Sequence, residues 1–417
     1  MNLIIGIIFF ILLFYIIYLK KFNYNISVKV QEKDKQILEL QNDLKNKLNK
    51  ARNIHEKMLP KKLPETKDIL INEYYQPADY IGGDYYNVLE IDHGAMHSLF
   101  NQYLLYYFDV SGHGIDSSLL AIFINDAIEN YFKLKHNPGE LISPVDLMKF
   151  IETQYHKEEF PDDYMVCLFL GLLDLDSYEL TYTSGGFQFP LFKLAPLKVE
   201  KIELSGLPIS TAIDLNIIPR QENVIDINKD TSILFSTDGL LEEERNSQIY
   251  FDRLIKNIEN FKGYPSPLIK DLIKVDFYDF TNGNIGIDDL TFLVLGRISG
   301  KEKVWELEPS DIGESINDIA EYIKNNNINY PKDKIIKILN GAIKLDSCGD
   351  LTIRLFNNKE NIIMTMEESS GNINWKELIR KEDIKFRNIA DIKLEKSEEI
   401  VCSYNNFFNK LYLVKIK

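Results

Sequence analysis

The sequence is poor in cysteine, and its basic residues are outnumbered by acidic ones. Its 417 residues include three cysteines, Cys167, Cys348 and Cys402, and no two of them have CxxC spacing. Cysteines so few and so far apart argue against a disulfide framework and a cysteine-ligated zinc site, and they fit a reducing compartment. The 48 Lys and Arg against 63 Asp and Glu give a net charge of −15, which argues against a general nucleic-acid-binding protein.

The overall composition is that of a globular protein. Hydrophobic residues make up 45% of the chain and charged residues 27%, so most of the chain is expected to fold. A chain of 417 residues has room for about two to three domains. The charge is unevenly distributed, because residues 20–62 form a basic segment within an acidic chain.

The N-terminus has the pattern of a membrane anchor. Residues 3–19 carry no charged side chain. The length of this segment is at the short end of the range needed for a membrane-spanning helix. Lys20 and Lys21 follow directly, so the positive-inside rule places the rest of the chain in the cytoplasm. A cleaved signal peptide and a buried core helix are the alternatives. We therefore predict a single-pass anchor over residues 1–20.

Residues 21–59 are predicted to form a helical linker. The helix should end at Leu59, because Pro60 follows it. Lys33 and Lys47 interrupt an otherwise apolar heptad pattern over residues 29–59, which leaves two interpretations. The helix is either a parallel dimeric coiled coil, giving a homodimer, or a single amphipathic connector. The apolar positions that recur every seven residues are Val30, Ile37, Leu44, Ala51 and Met58.

The middle of the chain alternates apolar runs with turn signals, which favours an α+β layered fold. Four aspartates stand beside glycines or at the ends of predicted strands. Carboxylates in such places, with backbone carbonyls, suit Mg²⁺ or Mn²⁺, although each aspartate alone could instead cap a helix or form a turn. The predicted strands are 103–110, 165–173, 178–183, 232–236 and 291–296, with a helix over 115–131, and the aspartates are Asp84, Asp109, Asp238 and Asp288.

The order of these motifs resembles the PPM-type serine/threonine phosphatases, and within them the bacterial SpoIIE/RsbU group. The resemblance covers about residues 51–298 and begins with His55–Pro64, which is similar to the segment leading into the domain in that group. The motifs are Gly82-Gly83-Asp84, Asp109-Val110-Ser111-Gly112-His113-Gly114, Ser236-Thr237-Asp238-Gly239 and Asp288-Asp289-Leu290-Thr291.

The resemblance implies an αββα sandwich over residues 60–299 with two Mg²⁺ or Mn²⁺ ions. It implies that Asp109 bridges both ions, that the Val110 carbonyl binds one of them, and that Asp238 and Asp288 hold the other. Asp84 would lie in or next to this ligand set. Asp109 and Asp238 are the candidate catalytic residues, since the ions would activate a water for in-line attack on a phosphoryl group.

The function implied is that of a membrane-anchored protein phosphatase. Its substrate would be a phosphorylated regulatory protein of the anti-anti-sigma type. Three residues depart from the family pattern, namely Asn87, Phe187 and Ser210, where relatives often have Asp, His and Gly. These departures leave open a pseudophosphatase that binds a regulator without turnover. His113 is expected to have a structural role in its turn.

Residues 300–417 are predicted to form a separate small α+β domain. Helical patterns cover 312–325 and 333–344, and strand patterns cover 351–356 and 361–366. The layout faintly resembles the histidine-kinase-type ATPase fold of anti-sigma kinases. Lys337, Gly341 and Leu345 stand where that family has Glu, Asn and His, so the resemblance implies a degenerate domain that does not use nucleotide. An unrelated α+β domain is the alternative.

Overall fold

The computed structural model divides into two compact units, Met1–Met58 and Leu59–Lys417. The structure describes the chain except for residues 1, 62, 65, 67, 92–100, 113, 135–141, 216–218, 285, 287, 327, 329–331, 344–348, 358–360, 370–374, 376–400, 406–409 and 417.

The first unit is a single helix, α1, which runs over Asn2–Met58. The predicted linker is thus helical and ends where Leu59 and Pro60 predict. Among the described residues, no helix combines the length and apolar character needed to cross a membrane. The side chains of residues 2–13, which form most of the predicted anchor, lie outside the described residues. The anchor and the pairing of two copies therefore stay predictions.

The described residues of the phosphatase-like part of the second unit form two five-stranded sheets, a two-stranded sheet of β10 and β11, and five α-helices. One sheet has the order β1-β12-β9-β6-β7, and the other has the order β2-β3-β4-β5-β8. The strands are β1 (Ile69–Gln76), β2 (Tyr85–Glu90), β3 (Gln102–Val110), β4 (Val166–Asp174), β5 (Glu179–Gly185), β6 (Leu191–Leu194), β7 (Val199–Ile202), β8 (Asn223–Asp226), β9 (Thr231–Ser236), β10 (Glu244–Arg245), β11 (Gln248–Ile249) and β12 (Leu290–Arg297); the helices are α2 (Ile115–Leu134), α3 (Pro144–Lys157), α4 (Asp238–Leu241), α5 (Tyr250–Ile258) and α6 (Ser266–Phe280).

The two sheets pack face to face around an aromatic core. Tyr107 and Phe169 from one sheet contact Phe235 from the other, with ring centroids 5.3–5.9 Å apart. Helices α2 and α3 cover the outer face of the sheet that contains β3, and α6 covers the outer face of the sheet that contains β12. Sheets that are apolar on both faces need cover on both sides. The layers therefore follow the αββα order implied by the family resemblance.

The predicted strands and helix of this region are confirmed with small changes of boundary. The strand predicted over 103–110 is β3, and the predicted hairpin is β4 and β5, which pair in antiparallel register from Leu168 with Gly185 to Asp174 with Glu179. The predicted helix after β3 is α2, which extends to Leu134. Short apolar runs bounded by turn residues identify buried strands well.

The C-terminal region forms a third five-stranded sheet, of order β13-β14-β15-β17-β16, with two helices on one face. Both predicted helices and both predicted strands are present. The ATPase-like resemblance stays a prediction, because Leu345 lies outside the described residues. The elements are β13 (Lys301–Leu307), α7 (Ile312–Asn325), α8 (Lys332–Ile343), β14 (Leu351–Asn357), β15 (Asn361–Glu368), β16 (Val401–Asn405) and β17 (Lys410–Ile416).

The other face of this sheet packs on the phosphatase-like part. Ile353 points towards α7 and α8, whereas Phe356 and Ile363 join the core formed by α5 and α6. Successive side chains of a strand point to opposite faces, which explains this division. The Lys410 ammonium lies 2.7 Å from a carboxylate oxygen of Asp271 on α6. The C-terminal region is thus packed against α6 by both apolar and ionic contacts.

Candidate active site

The sheets bring the predicted aspartates together at one end of the sandwich. Asp109 ends β3, and Asp84 precedes β2 in the same sheet. Asp238 follows β9, and Asp288 precedes β12 in the other sheet. Asp84 is buried, Asp109 and Asp238 are partly exposed, and Asp288 is exposed, so the group extends from the interior to the surface.

These aspartates influence one another electrostatically. Burial, followed by the negative charges of Asp109 and Asp289, raises the pKa of Asp84 well above its usual range. Burial, followed by Asp238 and Asp288, raises the pKa of Asp109 to about 8. Burial, followed by Asp288, raises the pKa of Asp238 to about 6. Carboxylates that share a site oppose one another's ionisation, which is an arrangement found at functional sites.

Asp289 supports the glycine turn that precedes Asp84. Its carboxylate accepts hydrogen bonds from the backbone N–H of Gly83 at 2.6 Å and of Ala78 at 2.8 Å. A Cβ atom added to Gly82 would lie 2.5 Å from the Asp289 Oδ2 atom, so a residue with a side chain would disturb the carboxylate at this place. In the sequence, Asp289 is recognisable only as part of a motif. The signal for it in the sequence is its position next to Asp288. Its hydrogen bonds could not be predicted, because they join residues more than 200 positions apart in the chain.

Thr237 is a second supporting residue, whose role is not evident from its motif. Its hydroxyl donates a 2.8 Å hydrogen bond to the Oδ2 atom of Asp84. Its backbone N–H donates to the Thr291 carbonyl at 3.0 Å. Thr237 is 1% exposed, so the bond to Asp84 is shielded from water. The two sheets are therefore linked at the site through Thr237 of one and Asp84 of the other.

The start of α2 also contacts the glycine turn. The Ser118 hydroxyl donates to the Gly82 carbonyl at 3.0 Å and to the Gly114 carbonyl at 2.6 Å. The carbonyl oxygen of Val110 lies 2.9 Å from where a Cβ atom on Gly83 would be. The predicted ligand carbonyl of Val110 is thus next to the turn that carries Asp84. His113 lies outside the described residues.

The three departures from the family pattern have packing and hydrogen-bonding roles. The Asn87 side chain donates to the Tyr106 hydroxyl at 3.3 Å. Phe187 contacts Tyr107 with ring centroids 4.7 Å apart in the aromatic core. The Ser210 hydroxyl donates to the Asp162 carbonyl at 3.4 Å. Each substitution is accommodated by neighbouring side chains.

The oxygen atoms gathered at this site are of the chemical type that binds a hard divalent cation. Carboxylate and carbonyl oxygens are the ligands that Mg²⁺ and Mn²⁺ prefer. Within the described part of the chain, no three His, Cys, Asp or Glu side chains are arranged closely enough to hold a metal ion as they stand. Burial and the neighbouring carboxylates raise the pKa of Asp109 to about 8, so a cation placed between these groups would favour their ionised forms at neutral pH.

Comparison with known proteins identifies the class to which this fold and site belong. Residues 101–298 match the family model of Stage II sporulation protein E (SpoIIE). The chain is 24% identical over 232 residues to phosphoserine phosphatase RsbP of Bacillus subtilis, covering 55% of this chain and 51% of RsbP. It is 25% identical over 277 residues to protein IcfG of a Synechocystis species, covering 60% of this chain and 41% of IcfG.

A solved structure has a similar fold. The SiaA-PP2C domain of Pseudomonas aeruginosa is similar with a TM-score of 0.51 and 17% identity, covering 62% of this chain and 98% of that domain. The fold is thus that of a PP2C-type phosphatase domain. Residues 101–298 match a SpoIIE-type phosphatase domain. The chain spans about half the length, or less, of the curated relatives it matches.

Proposed function

We propose that this chain is a metal-dependent protein phosphatase that acts on phosphoserine or phosphothreonine. The observation that carries the proposal is the group of mutually repelling aspartates at the end of the sandwich. Burial and the other carboxylates raise the pKa of Asp109 to about 8, and Asp84 is held by Thr237 and the turn before it by Asp289. A fold that merely needed stability would not gather these charges, since each opposes the ionisation of the next.

In this proposal Asp109, Asp238 and Asp288, with Asp84 and the Val110 carbonyl, would hold two Mn²⁺ or Mg²⁺ ions. Such ions lower the pKa of a bound water and neutralise charge on the phosphoryl group during transfer. Thr237 keeps the Asp84 carboxylate oriented, and Asp289 keeps the preceding backbone in place. Mutation of residues that orient metal ligands in this way typically costs about 10- to 100-fold in metal affinity or activity.

The proposed substrate is a phosphorylated regulatory protein of the anti-anti-sigma type. The name of the Bacillus subtilis relative, phosphoserine phosphatase RsbP, supports a phosphoserine substrate. In the proposal, residues 1–20 anchor the chain in a membrane with the phosphatase domain in the cytoplasm. The uncharged segment before Lys20 and Lys21 supports this placement.

The helix over 29–59 would pair with a second copy. In α1, Val30, Ile37 and Leu44 are 51%, 51% and 56% exposed. These residues recur at heptad spacing, so pairing with another helix would remove them from water together. Regulation of the phosphatase through this dimer is part of the proposal.

Hydrolysis of p-nitrophenyl phosphate by the full-length chain tests the activity. We expect turnover with Mn²⁺ and none with EDTA. We expect Asp109→Asn to lower turnover by more than ~10²-fold, because it removes a ligand shared by both ions. Asp279→Asn, an exposed change on α6, is the matched control and should retain wild-type turnover. If calorimetry shows Mn²⁺ binding but no turnover occurs, the chain is the pseudophosphatase alternative.

Deletion of residues 1–28 tests the anchor. We expect the full-length chain to sediment with membranes and the shortened chain to remain in the supernatant. Removing the uncharged segment removes the apolar surface that a bilayer would bury. Membrane association that persists in the shortened chain would instead assign it to the basic residues beyond position 28.

A further inference from the structure

We infer that the outer face of α2 and the loop before β4 dock the protein segment that carries the phosphoserine, and that this segment is both apolar and basic. The inference rests on the proposed phosphatase function. We call this surface the α2 rim, and we define it by its apolar and acidic members. They are Ile115, Leu119 and Met165, with Asp116, Asp162 and Asp163.

The α2 rim exposes apolar side chains at the start of α2, next to the turn that follows β3. Ile115 is 50% exposed and Leu119 is 60% exposed, and their spacing of four residues places them side by side on one helix face. Ser117 and Ser118 in the same helical turn are buried, and the Ser118 hydroxyl bonds to the glycine turn of the candidate active site. Grouped exposed apolar residues on a soluble domain mark an interaction site more often than scattered ones do.

The apolar surface continues across to the loop before β4. Met165 is 43% exposed, and its carbonyl accepts a 2.8 Å hydrogen bond from the Ser111 N–H. The negative charge of Asp116 on α2 is the largest cause of the raised pKa of Tyr164, so the two side chains lie close together. The loop residues Tyr164 and Met165 are therefore next to the turn after β3 and the start of α2.

The α2 rim lies immediately beside the candidate metal ligands. Ser111 is two residues after Asp109, and Met165 is two residues before Cys167, which pairs with Asp109 across the sheet. The turn between Ser111 and α2 contains Gly112, which is exposed and has no atom within 4 Å of an added Cβ position. A chain lying on the α2 rim would therefore reach the aspartates past Gly112.

The loop is held in one conformation by the rest of the domain. The Thr211 hydroxyl donates to the Phe160 carbonyl at 2.8 Å, and the Ser210 hydroxyl donates to the Asp162 carbonyl. The Phe160 ring contacts Tyr155 of α3 with centroids 4.9 Å apart. A surface that is already ordered loses less entropy when it binds a partner. Ser210, which departs from the family pattern, thus helps to form this surface.

The charge of the α2 rim indicates what kind of partner it fits. Residues 157–165 contain four carboxylates and one lysine, and Asp162 and Asp163 are exposed. Asp116 on α2 is exposed as well. Complementary charge favours Lys or Arg next to the phosphoserine of the substrate. A bilayer with anionic headgroups would be repelled, and a symmetric contact with a second copy would bring the same acidic residues together.

Two synthetic phosphoserine peptides test the inference with the full-length protein and Mn²⁺. One peptide has Leu and Lys around the phosphoserine, and the other has Ser and Glu at the same positions. We expect kcat/KM for the first peptide to exceed that for the second by at least tenfold. p-Nitrophenyl phosphate serves as the reference, since it is too small to reach both the site and the α2 rim.

Variants of the α2 rim sharpen the test. We expect Ile115→Ser with Leu119→Ser to lower the ratio of kcat/KM for the Leu/Lys peptide to that for p-nitrophenyl phosphate by about tenfold. Leu197→Ser, at a residue 92% exposed in the turn between β6 and β7, should leave this ratio unchanged. Asp163→Lys should move the preference towards the Ser/Glu peptide, and an unfolded variant could not show such a gain.

Each outcome bears on one proposal. Wild-type hydrolysis of p-nitrophenyl phosphate with equal rates on both peptides, and no effect of Asp163→Lys, would overturn the docking surface and leave the phosphatase intact. A changed sedimentation coefficient in the Ile115→Ser, Leu119→Ser variant would also overturn it, since the surface would then be a contact between copies. Absence of Mn²⁺-dependent hydrolysis of any substrate would overturn the proposed function, and the docking surface with it.

Discussion

Carboxylates are buried in two regions of this protein, and their pKa values are shifted in opposite directions. At the candidate active site, burial and neighbouring aspartates raise the pKa values of Asp84 and Asp109. On α6, Asp271 is 7% exposed, yet the nearby ammonium of Lys410 holds its pKa below the usual value despite burial. The chain therefore supplies the opposite charge at Asp271, whereas at the site it gathers charges of one sign.

The difference separates a structural use of buried charge from a functional one. The pair of Asp271 and Lys410 joins α6 to β17, and Glu367 adds a second carboxylate 3.2 Å from Lys410. The aspartates at the site are held instead by neutral donors, namely Thr237 and the backbone turn supported by Asp289. A site of this kind is less stable than it could be until a cation binds, and such strain is typical of functional sites.

The largest expected effect on stability comes from breaking the pair at α6. We expect Asp271→Asn to lower the free energy of unfolding by about 3 kcal/mol, because it leaves the Lys410 ammonium buried with less compensation. Chemical denaturation of the full-length protein measures the change. Asp279→Asn lies on the same helix in an exposed ion pair with Arg253, and it should change stability by less than about 1 kcal/mol. Equal effects of the two variants would show that Lys410 is not compensated by Asp271.

An intermediate effect should follow from removing a neutral donor at the site. We expect Thr237→Val to weaken Mn²⁺ binding by about tenfold, because Asp84 loses the hydroxyl that orients it. Thr237→Ser should restore the affinity, since it retains the hydroxyl. Titration calorimetry with Mn²⁺ measures both variants, and Thr352→Val on β14 is the control. Wild-type Mn²⁺ affinity in Thr237→Val would show that the Thr237 hydroxyl does not support metal binding through Asp84.

The smallest expected effect is a pH dependence of stability. It should arise at the candidate active site and not at the pair of Asp271 and Lys410. Without metal, burial and the other carboxylates raise the pKa of Asp109 to about 8 and that of Asp238 to about 6. The pKa of such a carboxyl is about 4 in the unfolded protein and higher in the folded protein. Its contribution to stability is fully present below about pH 4, and it is lost as the pH rises through the pKa of the folded protein. In EDTA, the unfolding temperature should therefore fall by several degrees between about pH 5 and about pH 8.

Excess Mn²⁺ should remove the pH dependence of the unfolding temperature, and the variant Asp109→Asn should reduce it. Excess Mn²⁺ should abolish the fall in unfolding temperature, because cations replace the protons between the carboxylates. Asp109→Asn should reduce it in EDTA, since one of the repelling charges is gone, and the variant should then be the more stable protein at about pH 8. Differential scanning calorimetry measures both. A wild-type unfolding temperature in EDTA that rises over the same range would contradict the assignment of these pKa shifts.

Much of the fold could be predicted because its elements have strong local patterns. The apolar run before Asp109 is β3, and the turn signals around Asp174 mark the hairpin of β4 and β5. In the C-terminal region, the helix predicted over 312–325 is α7. By contrast, β16, β17 and the start of β13 were not predicted from their own patterns. β13 and β16 are the edge strands of their sheet, and β17 lies between β15 and β16, so the formation of these strands depends on their partners more than on local pattern.

The candidate site could be predicted as a set of residues, whereas its supports could not. Asp84, Asp109, Asp238 and Asp288 were found because each stands beside a glycine or a strand end within a recognisable motif. Thr237 and Asp289 stand in the same motifs, but nothing in their spacing shows that they contact Asp84 and Gly83. Those contacts join residues 153 and 206 positions apart, so they exist only once both sheets have formed.

By itself, the sequence determined which segments become strands and helices, because hydrophobic periodicity and turn residues act over a few neighbouring positions. It also determined which carboxylates were available for a metal site. Only the tertiary structure decided which of them would share one buried environment, which would meet Lys410, and which apolar residues of α2 would face solvent. Those outcomes depend on the packing of the two sheets and on the charges that packing brings within a few ångströms, and the order of residues along the chain does not contain those distances.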